Sequence, residues 1–158
     1  MKQSFYILFF LVFIFNSCKQ PKSIVNSRNN SYTTILLKEL IFSSNNYKDK
    51  PIEVEGFFTF KMEESSISIN ENSSYSEKVW LEFDFYKELR SQKGKYFFKD
   101  NNLLNYNSKK IKIRGIYNIK YKGHMSWYKG SINVKEFIYN DEKYLIDTLS
   151  YGNDYPAN

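Results

Sequence analysis

The chain has 158 residues and a mass of 19.0 kDa, room for one domain of ordinary size rather than two. Hydrophobic residues at 42% against 25% charged exclude wholesale disorder. A single Cys and a single His exclude an intramolecular disulfide and a Cys/His zinc site built from this chain alone. The formal charge of +6 is unevenly placed: no acid precedes Glu39, and residues 39–158 carry 18 basic against 17 acidic side chains, so the excess belongs mostly to the N-terminal arm.

Residues 1–18 read MKQSFYILFFLVFIFNSC, with Lys2 ahead of an unbroken apolar run, Phe5–Phe15, and then Asn16, Ser17 and Cys18. As a helix that run spans only ~16 Å against a hydrocarbon core of ~30 Å, too short to cross a bilayer and well suited to an export signal. Phe15-Asn16-Ser17-Cys18 resembles the lipobox of bacterial lipoproteins, where a small residue precedes an acylated cysteine that becomes the mature N-terminus. Ser17 fits that pattern; Phe15 stands where Leu is usual, and Asn16 where a small residue is usual. The resemblance implies a signal peptide over 1–17 and lipidation at Cys18, the alternative being ordinary secretion with a free thiol. At ~0.8 kcal/mol per buried CH₂, several acyl chains on one residue make an effectively permanent anchor. The expected partner there is the lipid bilayer. Lys19, rather than Asp, follows the cysteine, which by the same resemblance implies the outer membrane; without an acidic cluster in 19–24, a periplasm-facing protein is expected.

The lipidated tether is expected over 18–32, since KQPKSIVNSRNNSY is polar, acid-free and without a hydrophobic period. Thr33 and Thr34 read as helix caps, and Leu36, Leu37, Leu40 and Ile41 share a face at helical spacing, which predicts a short amphipathic helix over about 33–43. Beyond Pro51 the period becomes two. Ile52, Val54, Phe58, Phe60 and Met62 alternate with polar residues, as do Val79, Leu81, Phe83 and Phe85, then Ile111, Ile113, Tyr117, Ile119 and Tyr121; Ile132 and Val134 lead into Phe137–Tyr139. One wet face per strand predicts an antiparallel sheet. Ile52/Val54/Gly56/Phe58/Phe60 is echoed 59 residues later by Ile111/Ile113/Gly115/Tyr117/Ile119. A glycine in mid-strand marks a bend or the close approach of another backbone, and bent strands suit a small barrel. A further strand must lie within Glu63–Glu77 or Ser91–Ser108. The domain is expected over 33–142, with a C-terminal tail over 143–158.

This order, with KPIEVEGFF at Lys50–Phe58, VWLEFD at Val79–Asp84, KIKIRGIY at Lys110–Tyr117 and Gly123-His124-Met125, resembles uncharacterised small exported bacterial domains with an OB-fold-like barrel. The likeness covers roughly 35–139. It implies a mainly β fold with a short N-terminal helix and a small OB-like antiparallel β-barrel, and it brings no catalytic residue, cofactor or ligand.

Catalytic patterns are missing from the sequence. His124 is the only His, and no G-x-S-x-G, G-x-G-x-x-G or P-loop occurs. Glu82 and Asp84 share the polar face of a strand, where carboxylates ordinarily meet water. A non-enzymatic protein with no metal or cofactor is expected. Residues 86–129 hold 12 basic and 2 acidic side chains among Tyr96, Phe97, Phe98, Tyr106 and Trp127, a composition able to bind an anion. Against nucleic acid stand the envelope leader and an internal account of the charge, in which Glu53 and Glu55 face Lys112 and Arg114 across paired strands. The remaining candidate surface is Gly123–Tyr128, where His124, Trp127 and Tyr128 sit beside a tight turn. The expectation is a binding or interaction module with an envelope protein or glycan as partner; the carbohydrate alternative uses Trp127, Tyr128 and Trp80.

Overall fold

The computed structural model describes residues 31–87, 89–100 and 103–146; the expected leader, Cys18 and most of the expected tether lie outside them. The described chain is mainly β, with eight strands joined in one sheet. These are β1 (Thr33–Thr34), β2 (Pro51–Lys61), β3 (Glu64–Ser68), β4 (Lys78–Glu82), β5 (Leu89–Ser91), β6 (Lys110–Asn118), β7 (Ser131–Tyr139) and β8 (Glu142–Ile146). Two short helices accompany them, α1 (Leu37–Phe42) and α2 (Phe97–Asp100).

β2 and β6 pair antiparallel, with Glu53 opposite Arg114 and Glu55 opposite Lys112. β2 also pairs with β3, β3 with β4, and β6 with β7, all antiparallel. The circuit is completed by a parallel contact between Trp80–Glu82 of β4 and Ser131–Asn133 of β7. That seam is short, because β7 turns to β8 from Glu136 onward. β8 in turn carries β5, so the segment expected to open the tail at Lys143 is part of the sheet.

The two mid-strand glycines serve close approach. A Cβ on Gly56 would lie 2.6 Å from the Ser68 carbonyl oxygen and 2.7 Å from Leu37. On Gly115 it would overlap the Asn133 carbonyl oxygen, at the point where the β6–β7 register slips between Arg114 and Gly115.

Several boundaries differ from expectation. Thr33 and Thr34 extend instead of capping a helix: they pair parallel with Ile52 and Glu53, and the Thr34 hydroxyl donates to the Glu53 carboxylate at 3.2 Å. The helix starts only at Leu37, so Leu36 falls off the buried face and is exposed, while Leu37, Leu40 and Ile41 enter the core. The strand expected through Met62 stops at Lys61, and the one expected through Tyr121 stops at Asn118, whose side-chain oxygen accepts the N–H groups of Lys120 and Tyr121. β4 ends at Glu82. Phe83 still turns inward, but Phe85 sits in a turn held by the Tyr86 N–H on the Asp84 carboxylate and is exposed. The hidden strand is β3, inside the expected Glu63–Glu77 loop.

Phe97, which the basic middle segment offered as a stacking residue, is fully buried, its ring centroid 4.5 Å from that of Phe137. Phe98 packs beside it and Tyr106 stacks on it. These aromatics bury apolar area at roughly 25 cal/mol per Å², which explains them without a ligand.

Candidate functional site

The charges of the β2–β6–β7 face neutralise one another. Arg114 lies 2.5 Å from the Glu53 carboxylate and 2.9 Å from that of Glu136, with Lys112 3.6 Å from Glu53 and Lys110 2.5 Å from Glu55. Tyr32, the last residue of the expected tether, lies over the Arg114 guanidinium. Burial raises the Glu53 carboxyl, but hydrogen bonding and charge from Arg114, with Lys112 and Thr34, outweigh it and hold the group below the usual carboxylate range.

A second buried ion pair lies on β3 and β4. Lys78 reaches Glu64 at 2.7 Å, Lys61 reaches its other oxygen at 3.0 Å, and the Ser66 hydroxyl donates to it at 2.8 Å. The Lys78 ammonium also sits 5.3 Å from the centre of the Tyr75 ring. Burial raises the Glu64 carboxyl and the two lysines more than reverse that, so it stays ionised and paired, with no proton to offer.

Above this pair stands an aromatic cluster. Tyr128 meets Trp80 and Tyr75 edge-on at 5.2 and 5.5 Å, and Trp127 leans on Tyr75 at 5.0 Å. Tyr128 is buried, so its ring is not offered to a ligand as the sequence suggested; burial, then the Glu64 charge, pushes its hydroxyl far above the ordinary tyrosine range. Trp80 is half-buried because Gly123 lies against it: at φ 66°, ψ −160°, a conformation essentially reserved for glycine, the loop backbone comes so near that a Cβ would stand 2.6 Å from the indole. Trp127 is 49% exposed, and the His124 ring is perpendicular to it at 6.0 Å. His124 Nε2 stands 3.5 Å from the Glu63 carboxylate, across from the β2–β3 turn.

Beside Trp80 opens a groove of about 340 Å³. Its walls come from Phe60 and Lys61 of β2, Glu64 of β3, Trp80 and Glu82 of β4, and Tyr121 and Phe85 from the following loops. Of the four candidate side chains, the structure brings Trp80 to this groove, sets Trp127 and His124 on a neighbouring rim, and removes Tyr128 into the interior. Phe85 and Tyr121 were legible only as strand residues, and their exposure comes from strands that end early. Cys18, where lipidation is expected, lies outside the described residues. Among the described residues, no three of His, Cys, Asp and Glu gather as a metal set, and no helix is long and apolar enough to cross a membrane. Comparison with protein-family models, with curated proteins and with solved structures finds no match for this chain.

Proposed function

We propose that this chain is a membrane-anchored bacterial envelope lipoprotein whose domain, an OB-like β-barrel, is a non-enzymatic binding or interaction module. The leader and Cys18 support the anchor, with the outer membrane and its periplasmic face as the location. A circuit of five strands with one short parallel seam suits a small, partly open barrel. The observation that carries the binding reading is the groove beside Trp80, whose volume falls in the range of ligand sites and whose aromatic walls sit among a few charged groups. Nucleic acid is not the expected occupant: three of the charged lining residues are Glu63, Glu64 and Glu82, against Lys61 alone.

The carbohydrate reading draws on the half-exposed Trp127 and the groove wall of Trp80 and Tyr121, ring faces on which a sugar stacks. A glycan array and a pulldown from envelope fractions, run with wild type, Phe85→Ala and Trp127→Ala, separate the two. Loss of capture in Phe85→Ala at unchanged melting temperature places the ligand in the groove; capture indifferent to both variants refutes a site on this face. For the anchor, Cys18→Ser should leave membrane fractions or remain unprocessed. Soluble, cleaved protein from both forms would refute lipidation.

A further inference from the structure

The chain contains three methionines and one histidine. Apart from the initiator, all of them lie on two neighbouring loop tips. Met62 and Glu63 form the two-residue turn between β2 and β3, since Lys61 and Glu64 are register partners. His124 and Met125 lie on the loop between β6 and β7. The Glu63 carboxylate stands 3.5 Å from His124 Nε2, so the two tips lie side by side. Methionine is ordinarily a buried residue, yet Met62 is 88% exposed and Met125 64%. Neither thioether is spent on the core. The backbone is also held in an unusual conformation at these tips, with positive φ at Glu63, Met125 and Ser126.

We propose that Met62, His124 and Met125 form a binding site for a soft monovalent cation, Cu(I) or its close analogue Ag(I). Thioether sulfur is a poor ligand for hard cations and a good one for Cu(I), and imidazole suits the same ion. Two sulfurs and one nitrogen complete a three-donor set without a thiolate. Glu63 plays the supporting part: an Nε2–H turned to its carboxylate leaves Nδ1 as the donor atom, and the carboxylate balances the single positive charge. Met125 is the chain neighbour of His124 and Met62 that of Glu63, and their long, unbranched side chains, each with three rotatable bonds, give both sulfurs reach towards the imidazole. Zinc is disfavoured, because it takes four ligands from thiolate, imidazole and carboxylate, and only His124 and Glu63 qualify. The three proposed donors stand apart from the groove, since neither methionine nor the histidine lines it; only the supporting Glu63 is shared with its wall.

The test uses the full chain carrying Cys18→Ser, which removes the only thiol, purified in detergent and kept anaerobic. Ag(I) is titrated in chloride-free buffer, and Cu(I) against a chromophoric Cu(I) chelator. One equivalent should bind, shifting the methyl NMR resonances of Met62 and Met125 together and changing Trp127 fluorescence, its ring being 6.0 Å from His124. Met62→Leu and Met125→Leu should each weaken binding at least tenfold at unchanged melting temperature, as should His124→Gln; Zn(II) should give no saturable binding. Methyl resonances that do not move in the unsubstituted sites, or Ag(I) affinity unchanged in the Met62→Leu/Met125→Leu double variant, would overturn the proposal.

Discussion

Replacing Gly115 by alanine tests the packing argument most directly. In an unobstructed strand, glycine to alanine stabilises by about 0.5–1 kcal/mol, because alanine loses less backbone entropy on folding. Gly115 has no positive φ that would itself penalise a side chain. The obstacle is steric: the added Cβ overlaps the Asn133 carbonyl oxygen and stands 2.6 Å from Ile132 Cγ2, both on β7. Since Ile132 is fully buried and Asn133 is held in register by Ile116, neither has room to withdraw. Overpacking of this kind costs about 1–3 kcal/mol, so the sign of the substitution inverts. For a domain of this size the expected loss is about 5–15 °C in melting temperature, and Gly115→Val should lose more. Thermal unfolding followed by circular dichroism measures both variants. A Gly115→Ala protein as stable as wild type, or more so, would refute the close-approach account of the glycine.

Trp127→Ala should change stability by no more than about 1 kcal/mol, whereas Tyr128→Ala, which empties a buried site between Trp80 and Tyr75, should cost about 3–5 kcal/mol; urea unfolding of the pair compares them. Tyr117→Phe should cost about 1 kcal/mol by deleting the 2.8 Å bond its buried hydroxyl donates to the Lys129 carbonyl, and a neutral result in the same assay would count against that bond. The carboxyl of Glu53 is depressed in the folded state, so its stabilising contribution is complete above the unfolded carboxylate pKa and is lost as pH falls through the lower folded value. Glu53→Gln should therefore flatten the acid limb of a stability–pH profile, and an unchanged limb would contradict the ion-pair assignment.

The pairing of β2 with β6 was legible because three signals agreed: period-two alternation, a glycine at the same place in each strand, and acids on one facing bases on the other. β3 was not legible. Its sequence, Glu64-Ser-Ser-Ile-Ser68, contains one apolar residue, yet all five positions are buried, with Glu64 neutralised by two lysines and Ser66 bonded to it. Burial there rests on small polar groups, of which Glu64, Ser66 and Ser68 find partners and Ser65 does not, and no hydrophobic period records that. The helix start was misplaced because threonine serves a cap and a strand equally well, and only the long-range contact with Ile52 and Glu53 decides between them. In the candidate loop, the turn at Gly123 was readable from the residue itself. That Tyr128 turns inward while its neighbour Trp127 stays out depends on Tyr75, some fifty residues earlier.

β1 runs parallel to β2 and touches it only at the beginning, Thr33 and Thr34 beside Ile52 and Glu53. Ser31 and Tyr32 therefore lie near the Pro51 end of β2, while Met62 and Glu63 turn at the other end. At ~3.3 Å per residue, about 30 Å of strand separates those points. The first described residues thus stand at one pole of β2, and the turn carrying the exposed Met62 and the loop carrying the exposed Met125 stand together at the opposite pole.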